Sequence, residues 1–398
     1  MSNPKSMDRR SFLLGTSTLT ISQLLFGCSG NKQTQLKVEL LKGSIPSQVV
    51  NEFHKGLQQQ VELKFTPVEQ IQDLFQQLQN WQQKPTTTQE PGWKRFVPFG
   101  QAKKTPPADL VTLGDYWLKA AIEQKLIQPL QQLQGNQLKQ WSNLDEKWKK
   151  LVTRNDQGNP DAQGKVWGAP YRWGSTVIIY NRDKLRQLGW TPTDWSDLWR
   201  EGLKGRISLL NQPREVIGLT LKKLGKSYNT ENLDQVPDLE KELQTLNQQV
   251  KFYSSINYLE PLIMGDTWLA VGWSTDIVPI LSRYPQLAAV IPQSGTAIWA
   301  DLWVRPVGIT TSNLSDGWID FCWQPNIARQ ISLLTKSNSP ISTNITAADI
   351  QKPLRSLLQS DANDGLNLRS VLDKSEFLLP LSPSATKQYE SLFGKIKV

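Results

Sequence analysis

Residues 165–183, KVWGAPYRWGSTVIIYNRD, decide how this chain is read. The first part is aromatic and rich in turn formers: Trp167, Gly168, Pro170, Tyr171, Trp173 and Gly174. It runs into Thr176, Val177, Ile178, Ile179 and Tyr180, a β-branched apolar run bounded by Gly, Pro and Asn, which reads as a buried strand. The chain on either side carries its own alternation of strand and helix patterns. The stretch is therefore expected to be where the chain crosses from one layered lobe to another.

Upstream, residues 36–41 and 61–68 read as strands, and 46–58 as a helix with Pro46 at its start and Val49, Val50, Phe53 and Leu57 at helical spacing. A second helix is marked by Val68, Ile71, Leu74, Phe75 and Leu78. Residues 108–113 resume as a buried strand, and 115–126 as a helix. This order predicts a mostly parallel sheet covered on both faces, with ligands at the carboxyl ends of its strands, where Gly114, Asp115 and Tyr116 fall. Residues 81–107 break the pattern with many Pro and Lys residues and read as a long loop insertion. Downstream, a helix is expected over 193–203, a strand over 206–210, and a helix from 211 to 224 that stops at Gly225. Glu215 falls in the first turn of that last helix, where the helix dipole favours a carboxylate.

At 398 residues the chain can bury two cores, and 38% apolar with 20% charged residues is globular usage. Net charge is +9, and +7 without residues 1–27, but the Lys and Arg are scattered among Asp and Glu. That describes a solvated surface rather than a nucleic-acid-binding face. A single histidine, His54, beside an apolar helix stripe removes His triads and His metal clusters from consideration. The two cysteines, Cys28 and Cys322, allow at most one bridge, and Cys322 between Phe321 and Trp323 reads as a buried thiol. Sixteen tryptophans invite a search for rings lining a cleft. No metal or cofactor is expected.

Residues 1–28 read as an export signal: Arg9 and Arg10, then Phe12, Leu13 and Leu14, then a weakly apolar run to Gly27. Arg9-Arg10-Ser11-Phe12-Leu13 resembles a twin-arginine signal, and Leu25-Phe26-Gly27-Cys28 resembles a lipobox, in which Cys28 is acylated. Residues 29–35 would then be a tether.

Several motifs in succession resemble one family. They are Pro170 to Thr176, Trp195-Ser196-Asp197-Leu198-Trp199, Leu203 to Leu210, Arg214-Glu215-Val216, Gly265-Asp266 through Gly272-Trp273, and Ile298-Trp299-Ala300-Asp301. Their order and spacing are similar to the spermidine/putrescine-binding proteins of bacterial ABC importers. The resemblance implies an α/β, two-lobed periplasmic-binding-protein fold (type II-like), each lobe a mostly parallel sheet flanked by helices, with a cleft between. Lobe 1 would comprise 36–172 plus 300–345, and lobe 2 would comprise 173–299 plus 346–398. It further implies a non-enzymatic, monomeric protein, periplasmic and anchored to a membrane through Cys28. Such a protein hands a small solute to permease subunits and has no nucleic-acid partner.

The resemblance places ligand contacts at Tyr116, Glu215, Trp273, Trp299 and Asp301. An amine in a closed cleft needs carboxylates to pair with and aromatic faces to stack on. Trp299 and Asp301, two apart on a predicted strand, point the same way. The chain departs from the family at three positions, one of them Gly114, which replaces a hydroxyl residue before Tyr116. Leu41-Lys42-Gly43-Ser44 replaces an aromatic-acidic cluster, so that Ser44 stands at a contact position, and Gln212 replaces an acidic residue. Lys42 is expected to intrude, and Tyr171-Arg172-Trp173 to lie at the cleft floor. These departures leave open an amino acid, a sugar or an anion held by Lys42 and Arg172, or a scaffold with a degenerate cleft. Glu215 and Asp301 could also pose as the carboxylate pair of a glycosidase.

Overall fold

The computed structural model describes residues 35–82, 108–130, 138–310, 312–341 and 373–397. Arg9, Arg10, Cys28, residues 29–34, residues 83–107 of the expected insertion, and the 345/346 boundary lie outside the described residues.

The strands of the first half are β1 (Gln35–Leu41), β2 (Glu62–Val68), β3 (Leu110–Gly114), β4 (Ile127–Gln128), β5 (Thr153–Arg154) and β6 (Lys165–Val166). Those of the second are β7 (Ala169–Asn181), β8 (Ile207–Leu209), β9 (Val250–Tyr253), β10 (Leu269–Trp273), β11 (Leu287–Val290), β12 (Ala297–Pro306) and β13 (Glu376–Phe377). The large sheet runs β2-β1-β3-β12-β7-β10-β8-β9. Parallel triplets β2-β1-β3 and β10-β8-β9 lie at its two ends, and the two longest strands run antiparallel to their neighbours in the middle. Helices Ser47–Gly56 and Ile71–Gln82 connect the first triplet through crossovers, as the 3.6-residue spacing of their buried Val49, Phe53, Leu74, Phe75 and Leu78 requires.

Strand β7 is buried along all thirteen residues. Residues 169–175 pair with β12, and residues 176–181 pair with β10 and β11, so one strand changes partners between Ser175 and Thr176. The aromatic segment that composition marked as turn is therefore strand from Ala169 onward. Its backbone groups find a ladder on β12, and aromatic side chains suit a pleated, buried surface. Pro170 is tolerated because the register shifts there, between Asp301 and Leu302 on β12.

Apolar side chains gather around the two halves of the sheet. One cluster joins Leu36 through Trp173 with Ile298 through Ile341 and Phe377; a second and a third hold residues between Val177 and Ala297, with Tyr389, Phe393 and Ile396 of the final helix. Cys322 is buried in the first, as expected.

Two helices are shorter than expected. Over 193–203 only a 3-10 turn forms, Trp195–Trp199. Asp197 accepts from the amides of Thr193 and Asp194, Asp194 accepts from that of Trp195, and the indoles of Trp195 and Trp199 are tied to the carbonyls of Gly295 and Glu242. The two carboxylates cap the start of the turn, and Gly202 at φ 88° takes the chain out of helical conformation after it. Over 115–126, a 3-10 turn Asp115–Trp117 precedes the helix Leu118–Glu123, and Lys125 at φ 54° ends it. No helix among the described residues is long and apolar enough to cross a membrane.

Candidate functional site

The site is built on one face of the central ladder. Antiparallel register sets Arg172 opposite Asp301, Gly174 opposite Trp299, and Thr176 opposite Trp273 of β10. Residues two apart on a strand share a face, so these three pairs form one continuous row. Thr176 extends the row into the second half of the fold by donating from Oγ1 to Glu215 Oε1 at 3.0 Å.

The Asp301 end is occupied by the chain itself. Arg172 Nε lies 2.5 Å from Asp301 Oδ2, with both side chains buried. Burial works against the charge on Arg172, but Asp301 outweighs it and the guanidinium pKa is raised. The same guanidinium lies 5.9 Å from the centre of the Trp299 ring. Asp276, which accepts from the Tyr258 hydroxyl at 2.7 Å, is within electrostatic reach of Arg172.

Trp299 lies across Gly174. A Cβ at that position would stand 2.2 Å from Cζ2 of the indole and 2.8 Å from Ser274 Oγ, so glycine is what lets the ring lie flat on the strand. The ring is half-buried, and its Nε1 is enclosed without a hydrogen-bond partner. Trp273, opposite Thr176, is also half-buried.

At the other end Glu215 is 5% exposed, in the first turn of the helix Pro213–Lys223. Its Oε2 is buried without a hydrogen-bond partner. Burial pushes its carboxyl up to about 7, against the Thr176 hydroxyl, the Trp273 indole and the charge of Arg214. Arg214 is committed elsewhere, to the carbonyl of Leu379 and to Asn229 Oδ1.

The first half of the fold contributes Asp115 and Tyr116, directly after β3, whose Gly114 pairs with Asp301. Asp115 Oδ1 accepts from the Ala300 amide at 2.9 Å, and burial pushes its carboxyl up to about 7. Tyr116 is 43% exposed, set edge-on to Trp117, and within electrostatic reach of Arg214 on the opposite half.

The structure therefore brings Trp273, Trp299, Asp301 and Glu215 into one row, with Tyr116 across from Arg214. Gln212 caps the same helix as an exposed residue with no side-chain cap bond. Ser44 is fully buried, within reach of the Tyr171 hydroxyl. Three expectations are corrected. Tyr171 is a core ring, stacked on Trp303 with centroids 4.2 Å apart and its hydroxyl 3.1 Å from Thr112 Oγ1, because its side chain faces away from the row. Lys42 spends its charge on exposed Glu69 at 2.6 Å. Arg172 is neither a free cation nor idle, since Asp301 holds it. Thr176 and Gly174 were not singled out as site residues from sequence, although the Pro170 to Thr176 motif contains both; Asp115 was expected only at a ligand-facing strand end, with no contact assigned to it. Among the described residues no group of His, Cys, Asp and Glu is placed to hold a metal ion.

Comparison with known proteins fits this geometry. The family model for bacterial extracellular solute-binding proteins matches residues 105–356. The spermidine/putrescine-binding periplasmic protein of Escherichia coli is 27% identical over 224 residues, 56% of this chain and 61% of that protein, so the match spans less than two thirds of the relative. A putrescine/cadaverine-binding protein of Pseudomonas aeruginosa is 30% identical over 205 residues, 48% of this chain and 56% of that protein. In three dimensions, a spermidine/putrescine ABC transporter substrate-binding protein from Streptococcus pneumoniae superposes with a TM-score of 0.70 at 17% identity, over 92% of this chain and 99% of that one. The fold is that of the periplasmic binding proteins, and the chain belongs to the family of bacterial extracellular solute-binding proteins.

Proposed function

We propose that this chain is the extracytoplasmic solute-binding lipoprotein of an ABC importer, and that it takes an amine-bearing small molecule. The observation that carries the reading is Glu215 Oε2: a buried carboxylate oxygen without a hydrogen-bond partner, on a side chain that lies close to the half-buried Trp273 indole. A buried carboxylate without a donor is costly, and a primary ammonium is the group that would satisfy it while stacking on Trp273 and Trp299. The names of the relatives, which bind putrescine, cadaverine or spermidine, support an amine.

Residues 36–172 plus 300–345 form one lobe and 173–299 plus 346–398 the other. They close on the solute by bending β7 and β12, and Tyr116 covers the site from the first lobe. Closure is what the permease subunits recognise. Cys28 carries the lipid that holds the monomer at the membrane on the periplasmic side.

Calorimetry on the purified full chain with a panel of primary amines tests the site. Binding of at least one amine, lost in Glu215→Gln, is the expected result; a panel without binding sinks the reading. For the anchor, Cys28→Ser should move the protein from the membrane to the soluble fraction, and continued retention rejects acylation.

A further inference from the structure

Arg172 fills two places that a solute cation would otherwise take. It is the counter-ion of Asp301, at 2.5 Å, and it is the cation on the Trp299 ring, at 5.9 Å. A diamine bound along this row needs a carboxylate at each end; at the Glu215 end one carboxylate oxygen is buried without a hydrogen-bond partner, whereas Asp301 already has its counter-ion. The other carboxylate near Arg172, Asp276, is engaged by Tyr258. A second ammonium brought to this end would meet the guanidinium as a like charge where solvent screening is weak. Arg172 is 6% exposed and cross-strand paired, so it is held in place rather than free to swing away. A guanidinium carries five N–H donors, and Nε spends one on Asp301.

We propose that Arg172 determines specificity: it restricts the site to solutes with one ammonium group, whose far end is neutral or a hydrogen-bond acceptor. This rests on the reading of Glu215 as the ammonium site and names the class of solute that site takes. The chain supplies its own cation at one subsite, so a solute supplies only the other.

Three four-carbon amines differing only at the far end test this: butylamine, putrescine and 4-aminobutanoate, titrated into the full chain by calorimetry. Butylamine and 4-aminobutanoate are expected to bind at least tenfold more tightly than putrescine. Arg172→Leu, which frees Asp301, should raise the affinity for putrescine at least tenfold relative to butylamine. If that variant does not fold, Asp301→Asn serves: it releases the guanidinium, and 4-aminobutanoate should gain several-fold over putrescine. Putrescine binding tightest to the native chain, with Glu215→Gln still abolishing it, overturns the role of Arg172 and leaves the amine site standing. No binding of any of the three, or binding indifferent to Glu215→Gln, overturns the amine site and the proposal together.

Discussion

Asp301 and Glu215 are carboxylates of nearly equal burial, 3% and 5% exposed, at opposite ends of one sheet face. Asp301 sits on β12, and the strand beside it supplies an arginine directly opposite in register. Glu215 sits in the first turn of the helix Pro213–Lys223, and the chain offers it one threonine hydroxyl and the nearby Trp273 indole, with Oε2 left without a hydrogen-bond partner. Burial alone does not distinguish a structural carboxylate from a binding one. What distinguishes them is whether the fold has already supplied the partner that low dielectric demands.

The largest effect should come from breaking the pair that is complete. Arg172→Leu leaves a buried carboxylate uncompensated, and chemical denaturation should show a loss of about 3–5 kcal/mol. A change below about 1 kcal/mol would mean that Asp301 is served by solvent, and the contrast with Glu215 would disappear.

The incomplete end should respond in the opposite direction. Glu215 has a folded pKa of about 7, above its ordinary 4.5, so the folded chain keeps a proton that the unfolded chain releases between these values. Its contribution to stability is intact below pH 4.5 and is lost as pH rises toward 7. Glu215→Gln removes that loss: it should stabilise the protein by up to about 3 kcal/mol at pH 8 and by nothing at pH 4. Equal effects at both pH values would show that the carboxyl is solvated. Asp115, raised to about 7 for the same reason, leaves part of the pH dependence in place in the variant.

Gly174→Ala acts between the two ends. The new Cβ would meet the Trp299 indole at 2.2 Å, and the ring must lift from the strand. A loss of about 1–3 kcal/mol is expected, with a change in tryptophan fluorescence and weaker amine binding. Unchanged fluorescence would mean that the ring does not lie on Gly174. Smallest is Lys42→Ala, which removes an exposed ion pair with Glu69 and should change stability and amine affinity by no more than about 0.5 kcal/mol. A larger loss of affinity would return Lys42 to the cleft.

Much of this was legible along the chain. Period-2 and period-3.6 patterns located the strands and helices of the first half, because each element buries its own side chains against one sheet. Trp299 and Asp301 were seen to share a face, because alternation on a strand is local geometry. The strand at 176–180 was legible from β-branching, but its aromatic half, 169–175, was not. Those residues are strand because β12, more than a hundred positions later, lies against them. The helix expected over 193–203 failed for a related reason. Asp194 and Asp197 form a capping box that starts a turn, but two indoles are fixed by carbonyls distant in sequence and Gly202 at φ 88° leaves helical conformation.

By itself, then, the sequence determined the layered α/β architecture, the position of the crossing strand, and the residue types able to hold an amine. Only the tertiary structure decided which of those residues are still free to do so. Arg172 and Asp301 are 129 positions apart and meet through antiparallel register; Thr176 and Glu215 are 39 apart and meet through the helix that follows β8. Whether a buried charge belongs to the fold or to a solute depends on distance in space, which pattern along the chain does not carry.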